Sequence, residues 1–237
     1  MSISRARLDR FISEKCSINR KSVRLLVAQK RISVNGEVVD DVAYSVDKFS
    51  VICFDGRVLQ HNTAIYIMLH KPAGVVCATK DSEHKTVIDL LDENQYPNKH
   101  ELHIVGRLDL NTSGLVLLTN DSRWSEQLTL PDQKVEKHYL VTLKNPLTSD
   151  YIEAFAKGMY FEFEDITTLP ATLEILSMYQ AKVILTEGKY HQIKRMFGRF
   201  RNPVVGLHRY AIGEYILDKT LEVGQSKSIV VTEANRE

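Results

Sequence analysis

One stretch of the chain places a carboxylate where it could take part in chemistry. Asp109 lies between Gly106 and Gly114, and the mostly apolar residues 115–119 follow directly. This pattern predicts a loop between buried strands that carries the carboxylate. An ionised carboxylate in such a place can act as a general base or as a nucleophile. The same residue type is also a common turn former that bonds its own backbone, so both interpretations stay open at this point.

Sequence patterns of the common cofactor and hydrolase sites are missing. The chain has no Walker loop and no GxGxxG, HExxH or GxSxG motif, which excludes the usual nucleotide-binding, zinc-protease and serine-hydrolase classes. Cys16, Cys53 and Cys77 are odd in number and widely separated, with no CxxC pair. We therefore expect neither a disulfide framework nor a metal site.

The segments around the loop alternate apolar strands with a few helices. Strand patterns occupy residues 65–69, 115–119, 139–143, 172–175, 181–185 and 227–231. Helix patterns follow Ser122, cover residues 148–157 with Gly158 after the end, and cover residues 191–200. In the last helix a core-facing stripe is formed by Ile193, Met196, Phe197 and Phe200. These elements predict an α+β body with a largely antiparallel sheet.

The N-terminal segment differs from the rest in its charge. Residues 1–31 carry nine basic and two acidic side chains, although the whole chain has a formal charge of +1. Helical spacing predicts a short helix around Leu8, Phe11 and Ile12. It predicts a second one around Val23, Leu26 and Val27, after the N-cap candidates Ser17 and Asn19.

The pair Asn35-Gly36 then predicts a tight hairpin. Near-helical spacing would project Arg20, Arg24 and Arg31 from one side of the second helix. Guanidinium groups match phosphate oxygens, so this segment either binds a polyanion or presents an ordinary solvated helix face.

Length and composition indicate an ordinary globular protein of one or two domains. The 237 residues are 43% hydrophobic and 26% charged. The polar, turn-rich residues 55–63 predict a boundary, giving domains over residues 1–60 and 61–237. No apolar run approaches the roughly 18 residues of a membrane span, and Met1 to Arg10 lack the apolar core of a signal peptide. We expect a cytoplasmic protein without membrane contact and, because no heptad stretch occurs, a monomer.

Several motifs resemble known families. Residues 5–54 contain RLDRFIS, SINRKSVRLLV and KRISVNGEVV, and this order resembles the S4-type RNA-binding domain. Residues 106–121, GRLDLNTSGLVLLTND, resemble the signature of the RsuA family of pseudouridine synthases. HKPAG at residues 70–74 and EGKYHQIKRMF at residues 187–197 resemble two further motifs of that family, with His70 in place of the usual Asn. The resemblance implies a small S4-type α/β domain followed by a synthase domain with a mostly antiparallel mixed sheet.

The resemblance also implies a catalytic site. The Asp of the family's GRLD motif is the catalytic carboxylate, and it corresponds to Asp109. Lys194, two positions after Gln192, corresponds to the cation that keeps this carboxylate ionised in a buried pocket. An ammonium about 4 Å away contributes roughly 4 kcal/mol at an effective dielectric constant near 20. Tyr139, in the family's K-x-Y segment, stacks on the uracil, and Arg107 fills the space that the everted base leaves.

We expect additional contacts with RNA from basic residues of both domains. The residues predicted to bind RNA, besides Arg107, are Arg20, Lys21, Arg24, Arg31 and Arg195. Positive charge near the site is also expected from Arg199, Arg201 and Arg209.

The third motif indicates which RNA is modified. YHQIKRMF resembles the family members that act on the small subunit, whereas large-subunit members commonly read NRQVRR. The resemblance therefore implies isomerisation of one uridine in 16S rRNA or in a small-subunit assembly intermediate. No cofactor is expected, because reactant and product contain the same atoms. Two alternatives stay open: a 23S rRNA synthase of the same family, and a non-catalytic RNA-binding protein of ribosome assembly.

Overall fold

The computed structural model describes residues 5–232, so part of the segment considered for a signal peptide, residues 1–4, lies outside the described residues. The chain folds into two compact units. The first runs to Ile65 and includes Asp121–Arg123, and the second comprises Tyr66–Asn120 and the chain from Trp124 onward. No helix among residues 5–232 is long and apolar enough to cross a bilayer.

The first unit combines two short helices with small antiparallel sheets. Its elements are β1 (Ala6–Arg7), α1 (Leu8–Cys16), α2 (Arg20–Ala28), β2 (Ile32–Val34), β3 (Glu37–Val38), β4 (Ser45–Val46), β5 (Ile52–Phe54) and β6 (Arg57–Gln60). The strand order of the main sheet is β3-β2-β5-β6, and β1 pairs with β4. The predicted helical stripes supply its core, because Leu8, Ile12, Val23 and Val27 are buried together. Both predicted helices are confirmed.

Local backbone geometry agrees with most of the helix caps and turns that the sequence predicts. The Asn19 side chain accepts from the Ser22 backbone N–H at 2.8 Å and so caps α2. Ser17 instead ends α1 in the left-handed region, at φ 55°, so its prediction as an N-cap is wrong. Asn35 and Gly36 have φ 52° and 87° and form the predicted hairpin turn between β2 and β3.

Asp55 and Gly56, at the start of the predicted domain boundary, form the turn of a second hairpin, between β5 and β6. One prediction for the second helix is wrong. Arg31 does not lie on α2, because that helix ends at Ala28. The Arg31 guanidinium pairs with the Asp55 carboxylate and lies 5.0 Å from the centre of the Phe54 ring.

The second unit is built on one large sheet. Its strands are β7 (Tyr66–Lys71), β8 (His103–Val105), β9 (Ser113–Thr119), β10 (Lys137–Leu143), β11 (Tyr160–Phe161), β12 (Ile166–Thr167), β13 (Thr172–Ser177), β14 (Gln180–Leu185), β15 (Val204–Ile212), β16 (Tyr215–Ile216) and β17 (Ser226–Ser228). Its helices are α3 (Ser122–Thr129), whose first two residues are counted with the first unit, α4 (Asp150–Lys157) and α5 (Gln192–Gly198). Short 3-10 turns lie at Lys99–Glu101 and Pro131–Gln133.

The main path of this sheet runs β13-β14-β10-β15-β9-β7-β17, with β8 paired to β9 and β16 to β15. Every pairing in it is antiparallel except that of β15 with β9. The predicted α+β class with a mostly antiparallel mixed sheet is therefore confirmed. The small β11–β12 hairpin stands apart from this sheet.

Five of the six predicted strands are present, and the sixth, residues 227–231, overlaps β17 only at residues 227 and 228. The longest strand that the sequence pattern did not indicate is β15. It has nine residues and lies in the middle of the sheet, between β10 and β9. Gly206, His208 and Arg209 interrupt its apolar residues, so neither alternation nor a continuous apolar run is visible. The last predicted helix is shorter than expected and ends at Gly198.

Candidate active site

A loop between β8 and β9 carries Asp109, as the glycines and flanking apolar segments predicted. The start of the loop is held by a backbone N–H of Leu108, which donates to the Cys77 sulfur at 3.3 Å. Burial raises the pKa of the Cys77 thiol. The later part is held by Lys71, whose ammonium donates to the carbonyls of Leu110, Thr112 and Pro72 at 3.3, 2.6 and 2.9 Å. Lys71 is completely buried, and its three N–H donors are matched by these three acceptors.

Arg209 supports the same loop from β15. Its guanidinium donates to the carbonyl oxygens of Gly106, Arg107 and Leu115 at 2.6 to 3.3 Å, and the residue is only 2% exposed. Its guanidinium is thus engaged with the Asp109 loop. That Arg209 also adds charge for RNA phosphates stays a prediction.

The close pairing of β9 and β15 explains the second glycine of the motif. Gly114 lies opposite Arg209 in the parallel pair and has φ 114°. A Cβ atom on Gly114 would lie 2.1 Å from the Arg209 carbonyl oxygen. Only glycine allows this approach, so Gly114 fixes the point at which the loop joins the sheet.

The Asp109 carboxylate is held between two basic side chains. Lys194 Nζ lies 3.2 Å from Oδ2, and His191 Nε2 lies 3.4 Å from Oδ1. The Asp109–Lys194 pair was predicted. Burial was overestimated, because the side chains of Asp109 and Lys194 are each 29% exposed. The carboxylate therefore forms part of the wall of an open cleft and can be reached by a ligand.

The short helix α5 carries Lys194, and His191 directly precedes it. Ile193, Met196 and Phe197 are buried and fix the helix to the core, as their spacing predicted. Phe200 lies beyond the helix end and stacks on Tyr151 with ring centres 4.0 Å apart. His191 precedes the first turn at φ 48°, a left-handed conformation that few non-glycine residues adopt.

The segment before α5 is fixed by the buried side chain of Gln192. Its amide nitrogen donates to Glu187 at 2.6 Å, and its amide oxygen accepts from the Lys189 backbone N–H at 3.0 Å. The ring of Tyr190 stacks on His191 at 3.9 Å between centres. These contacts set the orientation of the residues beside the carboxylate.

Tyr139 supplies an aromatic wall to the cleft. Side chains of β10 alternate between buried and half-buried, and Tyr139 shares the buried face with Lys137, Val141 and Leu143. Tyr139 is 8% exposed and lines a cavity of about 80 Å³ together with Asp109 and Lys194. A larger recess of about 440 Å³ adjoins it and shares Arg107, Asp109 and His191. The three residues predicted to be catalytic are thus brought together.

The residues predicted to bind RNA have different surroundings. Arg107 is exposed at the mouth of the cleft. Arg20, Lys21 and Arg24 are exposed on α2. Arg195 is engaged within the protein instead: its guanidinium pairs with Glu164 and lies 3.8 Å from the centre of the Phe161 ring.

Sequence reasoning missed the support that two buried cations give to the loop. Lys71 stands in the HKPAG motif, whose pattern alone suggests no role for it, and Arg209 carried no signal that distinguished it from an exposed arginine. Among residues 5–232, no group of three or more His, Cys, Asp and Glu side chains could hold a metal ion. The chemistry that the cleft offers is that of a carboxylate with basic neighbours.

Comparison with known proteins identifies the class of this site. The family model for RNA pseudouridylate synthase matches residues 65–198, and the S4 domain model matches residues 6–52. A crystal structure of a pseudouridylate synthase superposes with a TM-score of 0.68 at 39% identity and covers 97% of both chains.

Curated relatives agree over nearly the full length. Ribosomal small subunit pseudouridine synthase A of Pseudomonas aeruginosa is 47% identical over 219 residues, 92% of this chain and 94% of the relative. The proteins of that name from Pasteurella multocida and Escherichia coli are 42% and 41% identical, each covering 96% of this chain and 97% of the relative. An isomerase acting on RNA is the class that the fold and the cleft define. The chain belongs to the RNA pseudouridylate synthase family and carries an S4 domain at its N-terminal side.

Proposed function

We propose that this chain converts one uridine of small-subunit ribosomal RNA into pseudouridine. The observation that carries the proposal is the Asp109 carboxylate, held 3.2 Å from the Lys194 ammonium in a cleft walled by Tyr139. The reaction breaks the bond from ribose C1′ to N1 of uracil, turns the base, and rejoins it through C5. The proton on C5 leaves, and N1 gains one. No oxidation occurs, so side chains alone can supply the acid and base groups.

In this proposal Asp109 acts on the sugar, either as a nucleophile at C1′ or as a base toward the C2′ proton. Lys194 and His191 stabilise its negative charge and hold its two oxygens in place. A uridine in folded RNA reaches the cleft only after leaving its stack, at a cost of a few kcal/mol. Tyr139 receives the everted uracil by stacking, and Arg107 occupies the gap left in the RNA.

The two domains have different roles in this proposal. Residues 1–60 bind structured RNA through Arg20, Lys21 and Arg24 on α2, and residues 61–237 carry the chemistry. Arg31 and Arg195 take part in RNA binding only if phosphate replaces the carboxylates of Asp55 and Glu164. The chain works as a monomer on ribosomal RNA in the cytoplasm.

The names of the relatives support small-subunit ribosomal RNA as the substrate. The proteins from Pseudomonas aeruginosa, Pasteurella multocida and Escherichia coli all carry the words ribosomal small subunit in their names, and each is at least 41% identical to this chain. The motif YHQIKRMF points the same way.

Tritium release tests the proposal. The chain is incubated with 16S transcript, 23S transcript and partly assembled small subunits, each labelled with tritium at uridine C5. We expect release from small-subunit material only. Asp109→Asn keeps the size of the side chain and should abolish release, whereas Asp92→Asn, in an exposed turn, should leave it unchanged.

Each alternative gives a different result. Release from 23S transcript alone would assign the chain to the large subunit. Tight RNA binding without release from any substrate would indicate a non-catalytic assembly protein. Equal release by wild type and Asp109→Asn would remove Asp109 from the mechanism.

A further inference from the structure

A second recess adjoins the proposed uridine cleft. It has a volume of about 420 Å³, and it shares Arg107, Tyr139 and Lys189 with the cleft. Two further basic side chains, Lys137 and Arg209, also line it. Among its described lining residues Glu187 is the only carboxylate. The recess therefore holds four basic groups against one acid.

The Glu187 carboxylate is already engaged. It accepts from the Gln192 amide at 2.6 Å and from the Leu169 backbone N–H at 2.8 Å, and Lys189 Nζ lies 3.5 Å away. Arg209 is likewise occupied by the carbonyls of the Asp109 loop. Lys137 is the buried cation of this recess that still has N–H donors for a ligand.

Lys137 is 8% exposed, and its ammonium donates to one acceptor, the Val135 carbonyl, at 2.8 Å. Two of its three N–H donors thus have no acceptor among the described residues. Lys71 shows the contrast, because that buried ammonium has three carbonyl partners. Burying an ammonium without an anion or a full set of acceptors is costly. Burial lowers the pKa of Lys137, and the nearby Arg209 guanidinium lowers it further.

We propose that this recess binds a backbone phosphate of the substrate RNA next to the target uridine, with Lys137 as its buried donor. The inference rests on the proposed function, since it supposes an RNA strand whose uridine occupies the cleft. Lys137 and Tyr139 project from the same face of β10, two residues apart. A base stacked on Tyr139 therefore brings the adjoining phosphodiester toward Lys137. The phosphate supplies the anion that the recess lacks, and its oxygens accept the two remaining N–H donors.

Lys137→Met tests the proposal, because methionine retains the unbranched shape without the charge. We expect binding of the small-subunit RNA to weaken roughly tenfold, as for loss of a charged hydrogen bond. The slope of log K against log salt should fall by about 0.7 to 0.9, the effect of one phosphate contact. The melting temperature should stay the same or rise, because an uncompensated buried charge is removed. Lys182→Met, at a half-buried lysine beside Glu174 and outside the recess, should change neither affinity nor slope.

A change in the RNA supplies the partner measurement. The phosphates flanking the target uridine are replaced one at a time by a neutral methylphosphonate. At one position this replacement should weaken RNA binding by the wild type by a similar factor. The same replacement should not weaken RNA binding by Lys137→Met any further. Unchanged affinity and salt slope in Lys137→Met would overturn the inference, as would methylphosphonate losses that simply add to those of the variant.

Two other outcomes are separable. If inorganic phosphate raises the wild-type melting temperature through Lys137 while RNA binding is insensitive to the substitution, the site takes free phosphate and the inference is overturned. If the wild type releases no tritium from small-subunit RNA, the proposed function fails. If the wild type turns over and Lys137→Met binds RNA as tightly as the wild type, the phosphate site is refuted and the proposed function stands.

Discussion

Replacing Lys194 by methionine removes the charge that lies nearest to the Asp109 carboxylate. At the observed separation of 3.2 Å, the attraction is about 5 kcal/mol at an effective dielectric constant of 20 and about 1 kcal/mol in water. Both side chains are 29% exposed, so an intermediate value is appropriate. A loss of about 3 kcal/mol corresponds to roughly a 100-fold lower rate. We expect this loss in kcat, with RNA affinity nearly unchanged, because Lys194 contacts the carboxylate.

The assay is single-turnover tritium release at saturating enzyme, with RNA affinity measured separately by filter binding. Lys194→Arg retains the charge and should keep most of the activity, while Lys157→Met, at an exposed lysine on α4, serves as the folding control. Turnover of Lys194→Met within threefold of wild type would refute the reasoning. Equal losses in the methionine and arginine variants would show that shape, not charge, is what matters.

Two further predictions concern the support of the loop and the N-terminal unit. Gly114→Ala should lower the free energy of unfolding by roughly 3–5 kcal/mol, because its Cβ would meet the Arg209 carbonyl. Gly198→Ala, with open space around its Cβ, should change it little or raise it by up to about 1 kcal/mol in the same urea titration. Replacing Arg20 and Arg24 by Gln should weaken RNA binding and lower its salt slope by about 1.5, measured by filter binding, with unchanged unfolding. An unchanged slope would mean that α2 does not contact RNA.

The predictable part of the fold is the part that local sequence determines. The Asn35-Gly36 turn and the helices around Val23 and Ile193 follow from residues a few positions apart. The strand β15 did not, because His208 and Arg209 interrupt its apolar pattern and the sheet on both sides supplies the burial. Turn composition at Asp55-Gly56 did not by itself indicate a hairpin, since hairpin turns and domain boundaries use the same residue types.

The candidate site was predicted mainly through resemblance. Asp109 and Lys194 are 85 residues apart, and no spacing rule brings them together. The motif match supplied the pair, and the side-chain geometry agrees with it. Lys71 and Arg209 act on backbone carbonyls, which carry no sequence signature. Their environment can be recognised only once the chain is folded, and the same is true of the recess around Lys137.

The parallel pairing of β15 with β9 also determines when, during synthesis, the catalytic loop can be fully supported. Arg209 donates to the Leu115 carbonyl, 94 residues earlier in the sequence. During synthesis the carboxylate loop therefore emerges long before the guanidinium that anchors it, and Lys194 also follows late. Nascent or stalled chains that stop short of β15 lack the Arg209 contacts to the loop and keep only those of Lys71 and Cys77. We expect such fragments to be impaired in catalysis even when their N-terminal unit has folded.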